Sequence, residues 1–276
     1  MVSQEQRRRQ LAREKFLRQQ QRRTSARRKA RVRNSVIASV LGVIVIGSVA
    51  LYSTDVLKGS DGKANAGADT TPSASPTSKA PDPCAKPAAG SAKKLSWKKE
   101  PAMTIDTSAK YTMKLATTCG DIDVALKTAA APHTVNSFDF LAGKGYFDHT
   151  KCHRLTTSDI YVLQCGDPQG TGMGGPGYTL PDENLKDKSL KASTYPAGTV
   201  AMANTGQKHT GGSQFFLVYK DSPLPPQYTP FGTVSEAGMK VLQKIAAAGS
   251  QPADPTTQNT APNATVVINK ATVTKS

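Results

Sequence analysis

Alternating apolar and polar positions predict strands in the C-terminal half of the chain. In Gly211–Val218, aromatic and β-branched residues follow a glycine pair, which is typical of a strand. Because strand side chains alternate between faces, Gln214 and Phe216 share one face and Phe215 lies on the other. A face that carries an amide and a phenyl ring can hold both the backbone and an apolar side chain of a ligand. An ordinary half-buried strand with Phe216 in the core would show the same pattern.

The same reasoning predicts the elements around this strand. Alternation over Lys110–Leu126 indicates a hairpin, and a second hairpin is expected after residue 147. Apolar residues at helical spacing predict helices over Pro132–Ala142 and Lys240–Ala246. Thr265–Val273 supplies a last strand, which we expect to bulge near Asn269.

One long apolar run, Ser35–Tyr52, carries no charged residue. As a helix it spans roughly 27 Å, just enough to cross a bilayer's hydrocarbon core. Residues 34–53 are therefore predicted to form a transmembrane helix. Because positive charge precedes it, we expect a single-pass protein of the cell membrane, with a cytoplasmic N-terminus and an extracytoplasmic C-terminal domain. The alternative is a cleaved signal peptide with its site at Ser48-Val49-Ala50, although the region before the apolar run is long for one.

Charge and composition divide the rest of the chain. The net charge is +16, and residues 1–33 hold 13 Arg and Lys against two Glu, a net of +11. This basic cytoplasmic tail could bind acidic lipids or RNA, and charge alone does not distinguish them. We expect the tail to serve only as a topology signal, with no nucleic-acid partner. Residues 54–103 are rich in Ala, Ser, Thr, Gly and Pro, which predicts a disordered linker before a domain over residues 104–276.

The four cysteines, at positions 84, 119, 152 and 165, form no CxxC motif, so neither a zinc knuckle nor a redox dithiol is indicated. Outside the membrane they can pair. Side-chain alternation argues against a Cys152–Cys165 bond across the second hairpin, and three complete pairings stay open. His149 and His153 lie near Cys152, but neighbouring strand residues point oppositely, so no metal site is predicted. No cofactor is predicted either, because Gly170–Gly175 is not followed by the Lys-Ser or Lys-Thr of a phosphate loop.

Several stretches resemble the cyclophilin family in content and in order. They are Cys152–Leu155, Tyr161–Asp167, Val200–Asn204, Gly212–Phe216 and Phe231-Gly232. The resemblance covers about Tyr111 to the C-terminus, and the chain resembles the extracytoplasmic, membrane-anchored cyclophilins of Gram-positive actinobacteria. It implies a mainly β fold, a closed eight-stranded antiparallel β-barrel capped by two α-helices. It also implies peptidyl-prolyl cis/trans isomerase activity, with proline-containing polypeptides as partners and a monomeric domain.

This reaction needs neither a nucleophile nor a metal. Rotation about the amide costs about 18–20 kcal/mol, and a catalyst must bind the twisted amide better than either planar form. Arg154 matches the family's catalytic arginine, whose guanidinium is a rigid, permanently charged donor. Gln164, ten residues on, is expected to face the same way and to orient it. The ordinary alternatives are a surface salt bridge for Arg154 and a satisfied core amide for Gln164.

The resemblance also assigns residues that bind the substrate. They are Tyr161, Val162, Asn204, Gln214, Phe216, Leu224 and Tyr228. The chain departs from the family pattern where Pro223 replaces the usual cyclosporin-binding tryptophan, so weak cyclosporin binding is expected. The alternative function is a proline-binding chaperone or holdase with little turnover. Arg154 distinguishes the two, because a module that only binds has no need of it.

Overall fold

The computed structural model describes residues 81–191, 193–254 and 259–275. The predicted basic tail, the transmembrane helix and the first part of the linker therefore lie outside the described residues. Within these ranges, the structure contains no helix with the length and apolar character needed to cross a membrane.

The described part of the chain contains eleven strands and two helices. The strands are β1 (Tyr111–Thr117), β2 (Gly120–Leu126), β3 (Thr150–Lys151), β4 (Arg154–Leu155), β5 (Tyr161–Cys165), β6 (Thr194–Tyr195), β7 (Thr199–Met202), β8 (Phe215–Lys220), β9 (Ser222–Pro223), β10 (Pro230–Val234) and β11 (Val267–Lys275). The helices are α1 (Pro132–Gly143) and α2 (Glu236–Ala247).

Nine of these strands form one sheet, in the order β3-β11-β1-β2-β10-β7-β8-β5-β4, and β6 pairs with β9 separately. Neighbouring strands are antiparallel throughout. The two edge strands, β3 and β4, are separated in the chain only by Cys152 and His153. The sheet therefore curls until its two edges come together in one short segment. The prediction of a mainly β, antiparallel fold with two helices is confirmed.

The local elements largely follow the sequence pattern. The predicted N-terminal hairpin is present as β1 and β2. On the other side of β1, the register of β11 shifts between Ala116 and Thr117, and Asn269 is the extra residue at that point. The expected bulge is therefore present. Helix α2 begins earlier than predicted, at Glu236, because the Ser235 side chain accepts a hydrogen bond from the Gly238 N–H and caps it.

Two apolar clusters lie on opposite faces of β8. Phe215 and Leu217 belong to the larger cluster, which fills the core beneath the helices. Phe216 and Val218 belong to the smaller one. The smaller cluster also contains Val162, Tyr195 and Ala201. The alternation predicted for this strand is confirmed, and the face that carries Phe216 is separate from the main core.

All four cysteines are paired, as Cys84–Cys119 and Cys152–Cys165. The alternation argument against the second pair was wrong. It treated Cys152 as part of a regular strand, whereas β4 begins only at Arg154. Outside a regular strand the period of two does not hold, and the Cα atoms of this pair lie 4.1 Å apart. The bond ties the segment before β4 to the end of β5.

Residues 81–103, which composition assigns to the linker, are attached to the sheet. We call this segment the strap. The Thr265 N–H donates to Asp82 Oδ2 at 2.9 Å, Cys84 carries one of the disulfides, and Trp97 packs against the core cluster. Composition misses this attachment because it depends on a few specific contacts and not on an apolar pattern.

Candidate active site

A row of side chains crosses four neighbouring strands on the face of the smaller cluster. Arg154 of β4 lies opposite Gln164 of β5. Phe216 of β8 lies opposite Gln164 on one side and opposite Ala201 of β7 on the other. Residues directly opposite each other in antiparallel strands project from the same face. The register therefore places a guanidinium, an amide and a phenyl ring side by side.

A pocket of about 120 Å³ opens along this row. It is lined by Arg154, Ile160, Val162, Gln164, Ala203, Asn204, Phe216, Leu224 and Tyr228. The structure thus brings together every predicted site residue except Tyr161 and Gln214. The pocket combines a largely apolar wall with one cation and two amides at its edge, a combination that suits a small apolar ring attached to a polar backbone.

Aromatic rings give the apolar wall its shape. The Phe216 side chain is buried, and its ring centroid lies 5.5 Å from that of Tyr228 at an interplanar angle of 82°. The Tyr195 hydroxyl donates to the Tyr228 carbonyl oxygen at 2.7 Å and accepts from the Tyr228 N–H at 3.1 Å. Edge-to-face packing and two hydrogen bonds therefore hold the Tyr228 backbone and ring in place against Phe216.

A line of hydrogen bonds runs along the polar edge. Arg154 Nη1 donates to Gln164 Oε1 at 3.3 Å, and Gln164 Nε2 donates to Gln214 Oε1 at 2.9 Å. Gln214 Nε2 then donates to the Gly174 carbonyl oxygen at 2.9 Å. Because the guanidinium is planar with several donors, one bond to Gln164 orients its plane while other N–H groups can face a ligand. Gln214 therefore supports the site from outside the pocket.

Arg154 is a fixed positive charge at the edge of the pocket. Burial lowers the pKa of Arg154, and the neighbouring Tyr228 works in the opposite direction. The ordinary pKa of a guanidinium is so high that the group stays protonated at any physiological pH. Partial burial also strengthens its electrostatic interactions, since less water screens them. The arrangement can therefore donate a hydrogen bond to a ligand atom without a proton being lost.

A wider cavity of about 570 Å³ adjoins the pocket. The two share Gln164, Asn204 and Ala203, the last of which the sequence analysis does not single out. One wall of the wider cavity is formed by residues 172–179. Asn204 Nδ2 donates to the Gln227 carbonyl oxygen at 2.8 Å, which braces the Asn204 side chain where the two cavities meet. Together the cavities form one groove.

A buried carboxylate fixes the loop that leads into that wall. Asp167 accepts hydrogen bonds from the N–H groups of Gln169 at 2.8 Å and Gly172 at 2.7 Å, and from the Thr171 hydroxyl. Burial acts against its charged form, but these donors outweigh burial and hold the pKa of Asp167 below its ordinary value. The glycine-rich segment is therefore an ordered loop organised by its own carboxylate.

His153 is buried against the same loop, where a Cβ atom added at Gly172 would lie 3.4 Å from His153 Nε2. Neither of its ring nitrogens has a hydrogen-bond partner among the described residues. Burial lowers the pKa of His153, while Asp167 works in the opposite direction and Arg154 adds to the lowering. Its neighbour Cys152 is in a disulfide. In the described ranges, the structure gathers no group of three His, Cys, Asp or Glu side chains that could hold a metal ion.

Tyr161, which the resemblance assigns to substrate binding, is not among the residues that line the pocket. It follows the pocket residue Ile160 and precedes the pocket residue Val162, at the point where the register between β5 and β8 shifts. Its ring instead packs edge-on to Tyr219 at 5.9 Å, beneath the Lys220 ammonium at 4.5 Å. Ile160, which the sequence does not single out, lines the pocket.

Pro223 is exposed and lies beside the pocket without lining it. It belongs to β9 and pairs with Thr194 of β6. The next residue, Leu224, lines the pocket. The position at which the family resemblance expects a tryptophan therefore lies at the rim of the site, on the solvent side.

Comparisons with known proteins find one matching family model and several similar relatives. Residues 112–273 match the family model described as cyclophilin type peptidyl-prolyl cis-trans isomerase/CLD. Over 149 residues the chain is 48% identical to a probable peptidyl-prolyl cis-trans isomerase B of Mycobacterium leprae. The identity to the corresponding protein of Mycobacterium tuberculosis is 46% over 149 residues. The alignments cover 51% of this chain and 50% and 48% of those relatives. The chain therefore spans about half the length of these curated relatives.

A relative from Dictyostelium discoideum, peptidyl-prolyl cis-trans isomerase cypE, is 39% identical over 140 residues, which is 49% of this chain and 85% of that protein. Among solved structures, a cyclophilin type peptidyl-prolyl cis-trans isomerase of Cryptosporidium parvum matches with a TM-score of 0.48 and 26% identity. That match covers 60% of this chain and 99% of the other.

Proposed function

This chain belongs to the cyclophilin type peptidyl-prolyl cis-trans isomerase family, and from this premise we propose that it catalyses cis/trans isomerisation of X–Pro bonds in polypeptides. The observation that carries the proposal is the register of β4, β5 and β8. It sets Arg154 and Gln164 beside the apolar wall formed by Phe216. A permanently charged donor next to a pocket for a small apolar ring is what the twisted prolyl amide requires.

In the proposed mechanism, the proline ring enters the pocket and packs on Phe216. As the amide twists, its nitrogen becomes pyramidal and its lone pair, no longer shared with the carbonyl group, can accept a hydrogen bond from the Arg154 guanidinium. Gln164 keeps the guanidinium plane in position. Since neither planar isomer offers this lone pair, the bond stabilises the twisted state more than either planar state and lowers the barrier. No covalent bond forms or breaks.

The residues that flank the proline lie in the wider cavity in this proposal. The two cavities share Gln164, Ala203 and Asn204, so an extended segment can pass from one to the other without leaving the groove. Gln214 lines the wider cavity and can meet the substrate backbone. The substrate class that fits is an extended, proline-containing polypeptide, with the domain acting as a monomer.

The sheet is proposed to form a closed eight-stranded barrel. The Cys152 N–H donates to the Val266 carbonyl oxygen at 2.9 Å, on the β11 side. The next N–H, of His153, donates to the Gln164 carbonyl oxygen at 3.1 Å, on the β5 side. In this proposal β3 and β4 count as one interrupted strand, so the nine strands become eight. That strand pairs with both β11 and β5, which closes the sheet.

Two-dimensional NMR exchange spectroscopy on a proline-containing peptide tests the activity directly. Substoichiometric full-length protein in mild detergent should produce exchange cross-peaks between the cis and trans signals of the peptide. Without catalyst, cis/trans exchange takes tens to hundreds of seconds, which is too slow to produce exchange cross-peaks. A peptide that binds, as judged by shifted resonances, but shows no added exchange would instead establish a proline-binding holdase.

The protein is proposed to be anchored by residues 34–53, with residues 104–276 outside the cytoplasm acting on exported proteins. The apolar run and the basic residues that precede it support this orientation. Protease added to intact spheroplasts should digest the domain and spare an epitope placed in residues 1–33. A mature N-terminus near Leu51 would show a secreted protein, and a protected domain would reverse the orientation.

A further inference from the structure

The strap, residues 81–103, precedes the region that matches the family, yet it contacts one wall of the groove. The Trp97 N–H donates to the Pro176 carbonyl oxygen at 2.8 Å. At Gly177 the approach is so close that a Cβ atom would collide with Ser96 Oγ and would lie 2.6 Å from the Trp97 carbonyl oxygen. The strap and the wall are therefore in direct backbone contact.

Trp97 is itself held by the helical side of the domain. Its ring packs edge-on to Phe140 of α1, with centroids 5.1 Å apart, and lies 5.9 Å from the ring of Tyr146. Tyr146 is fully buried, and its hydroxyl lies 3.0 Å from Ser213 Oγ. Trp97 therefore contacts the wall of the groove through its backbone and a rigid part of the core through its indole.

The strap is also fixed on both sides of Trp97. Upstream, Cys84 is bonded to Cys119 in the turn between β1 and β2. Downstream, the buried Asn136 donates through Nδ2 to the Ala102 carbonyl oxygen at 3.0 Å. Because the strap is anchored on both sides of Trp97, these anchors and the packing of the indole together hold the Trp97 backbone against Pro176.

The wall in turn reaches the catalytic row. Gln214 Nε2 donates to the Gly174 carbonyl oxygen, and Gln164 donates to Gln214. Pro176 is buried, and a Cβ atom added at Gly212 would lie 3.1 Å from its Cδ atom. A displacement of residues 174–178 would therefore move Gln214 and change the support of Gln164.

We propose that the strap is a positioning element of the substrate groove. Through Trp97 it holds residues 174–178 in place, and so sets the shape of the wider cavity and the position of Gln214. The strap thereby determines the affinity for proline-containing polypeptides long enough to reach that cavity. The inference rests on the proposed isomerase function, and Trp97 acts in it as a positioning residue.

The test compares Trp97→Ala and Trp97→Phe in the full-length chain, with Lys98→Ala as the matched control because Lys98 is the exposed neighbour. Each protein is assayed on a proline tetrapeptide and on a peptide extended at both ends. For the extended peptide, Trp97→Ala should raise KM at least about threefold, with a smaller change in kcat. The tetrapeptide should be affected less. Trp97→Phe should restore most of the affinity, and Lys98→Ala should match the unmodified chain.

Amide hydrogen exchange provides a readout that does not depend on activity. The amides of Gly174, Gly175, Gly177 and Tyr178 should exchange faster in Trp97→Ala than in Trp97→Phe or Lys98→Ala. Unchanged exchange there, or equal effects on both peptides that track thermal stability alone, would overturn the proposal. If the unmodified chain shows no isomerisation, the proposed function fails, and the exchange measurement alone then decides for or against the strap.

Discussion

Gln164 Nε2 donates a hydrogen bond of 2.9 Å to Gln214 Oε1, although the two residues are 50 positions apart in the chain. The bond joins β5 to the residue that precedes β8. On one side, Gln164 accepts from Arg154, and on the other, Gln214 donates to the Gly174 carbonyl oxygen. The orientation of the cation in the pocket is thereby connected to the wall of the groove.

This connection predicts that Gln164 and Gln214 act as a unit. Gln164→Leu and Gln214→Leu should each lower kcat/KM by roughly three- to tenfold, the scale of one lost hydrogen bond. The double variant should lose less than the product of the two, because the second substitution removes a bond that is already broken. Isomerisation kinetics on all four proteins give the coupling, and Gln207→Leu, at an exposed loop glutamine, is the control. Independent, multiplicative losses would contradict the coupling.

Arg154→Ala should lower kcat/KM at least about tenfold, because the donor to the twisted amide is lost. The free energy of unfolding should change little, since the side chain is only half-buried and lies at the pocket edge. Protease-coupled kinetics and thermal unfolding separate the two effects. Lys151→Ala removes a nearby exposed cation and should leave both quantities as they are. An Arg154→Ala protein with undiminished kcat/KM would rule out the assigned mechanism.

Phe216→Ala should weaken both stability and substrate binding, whereas Phe215→Ala should weaken stability alone. Both rings are buried, so each truncation should cost about 3–5 kcal/mol of unfolding free energy. Only Phe216 lines the pocket, because adjacent strand residues face opposite sides. KM is compared at low temperature on protein shown by circular dichroism to be folded. Equal KM values in the two variants would place the ring pocket elsewhere.

Cyclosporin should inhibit this domain at micromolar and not nanomolar concentration. Pro223 has no N–H to donate and covers less apolar surface than an indole would. The lost hydrogen bond and contact area together weaken binding by about tenfold to a few hundredfold. Isomerisation rates at increasing cyclosporin concentration give the inhibition constant. Pro223→Trp should recover part of the affinity, because the exposed rim position has room for the ring. Nanomolar inhibition of the unmodified domain would refute this account.

His153 should make the domain less stable in mild acid. Its folded-state pKa is lowered by burial, so the unfolded chain binds the proton more readily. The stabilising contribution of the neutral ring is therefore full above the ordinary pKa of about 6.5 and declines as the pH falls below it. Asp167 opposes the shift and Arg154 favours it. Denaturant unfolding between pH 7 and pH 5 should show a shallower decline for His153→Leu, and parallel curves would contradict the assignment.

Some features of the fold follow directly from local sequence. The alternation around Phe216, the first hairpin and the start of α1 at Pro132 were all predictable, because a strand or a helix repeats within a few contiguous residues. The motifs around Arg154 and Phe216 were enough to indicate the family and most of the pocket lining.

The sequence by itself thus determined the periodicity, the faces of the strands and the residue types of the site. Only the tertiary structure decided the pairing of the cysteines, the bond between Gln164 and Gln214, and the attachment of the strap through Trp97. Each of these depends on the register between segments far apart in the chain. Such contacts leave no periodic signal, because a single side chain placed by the rest of the fold is enough to make them.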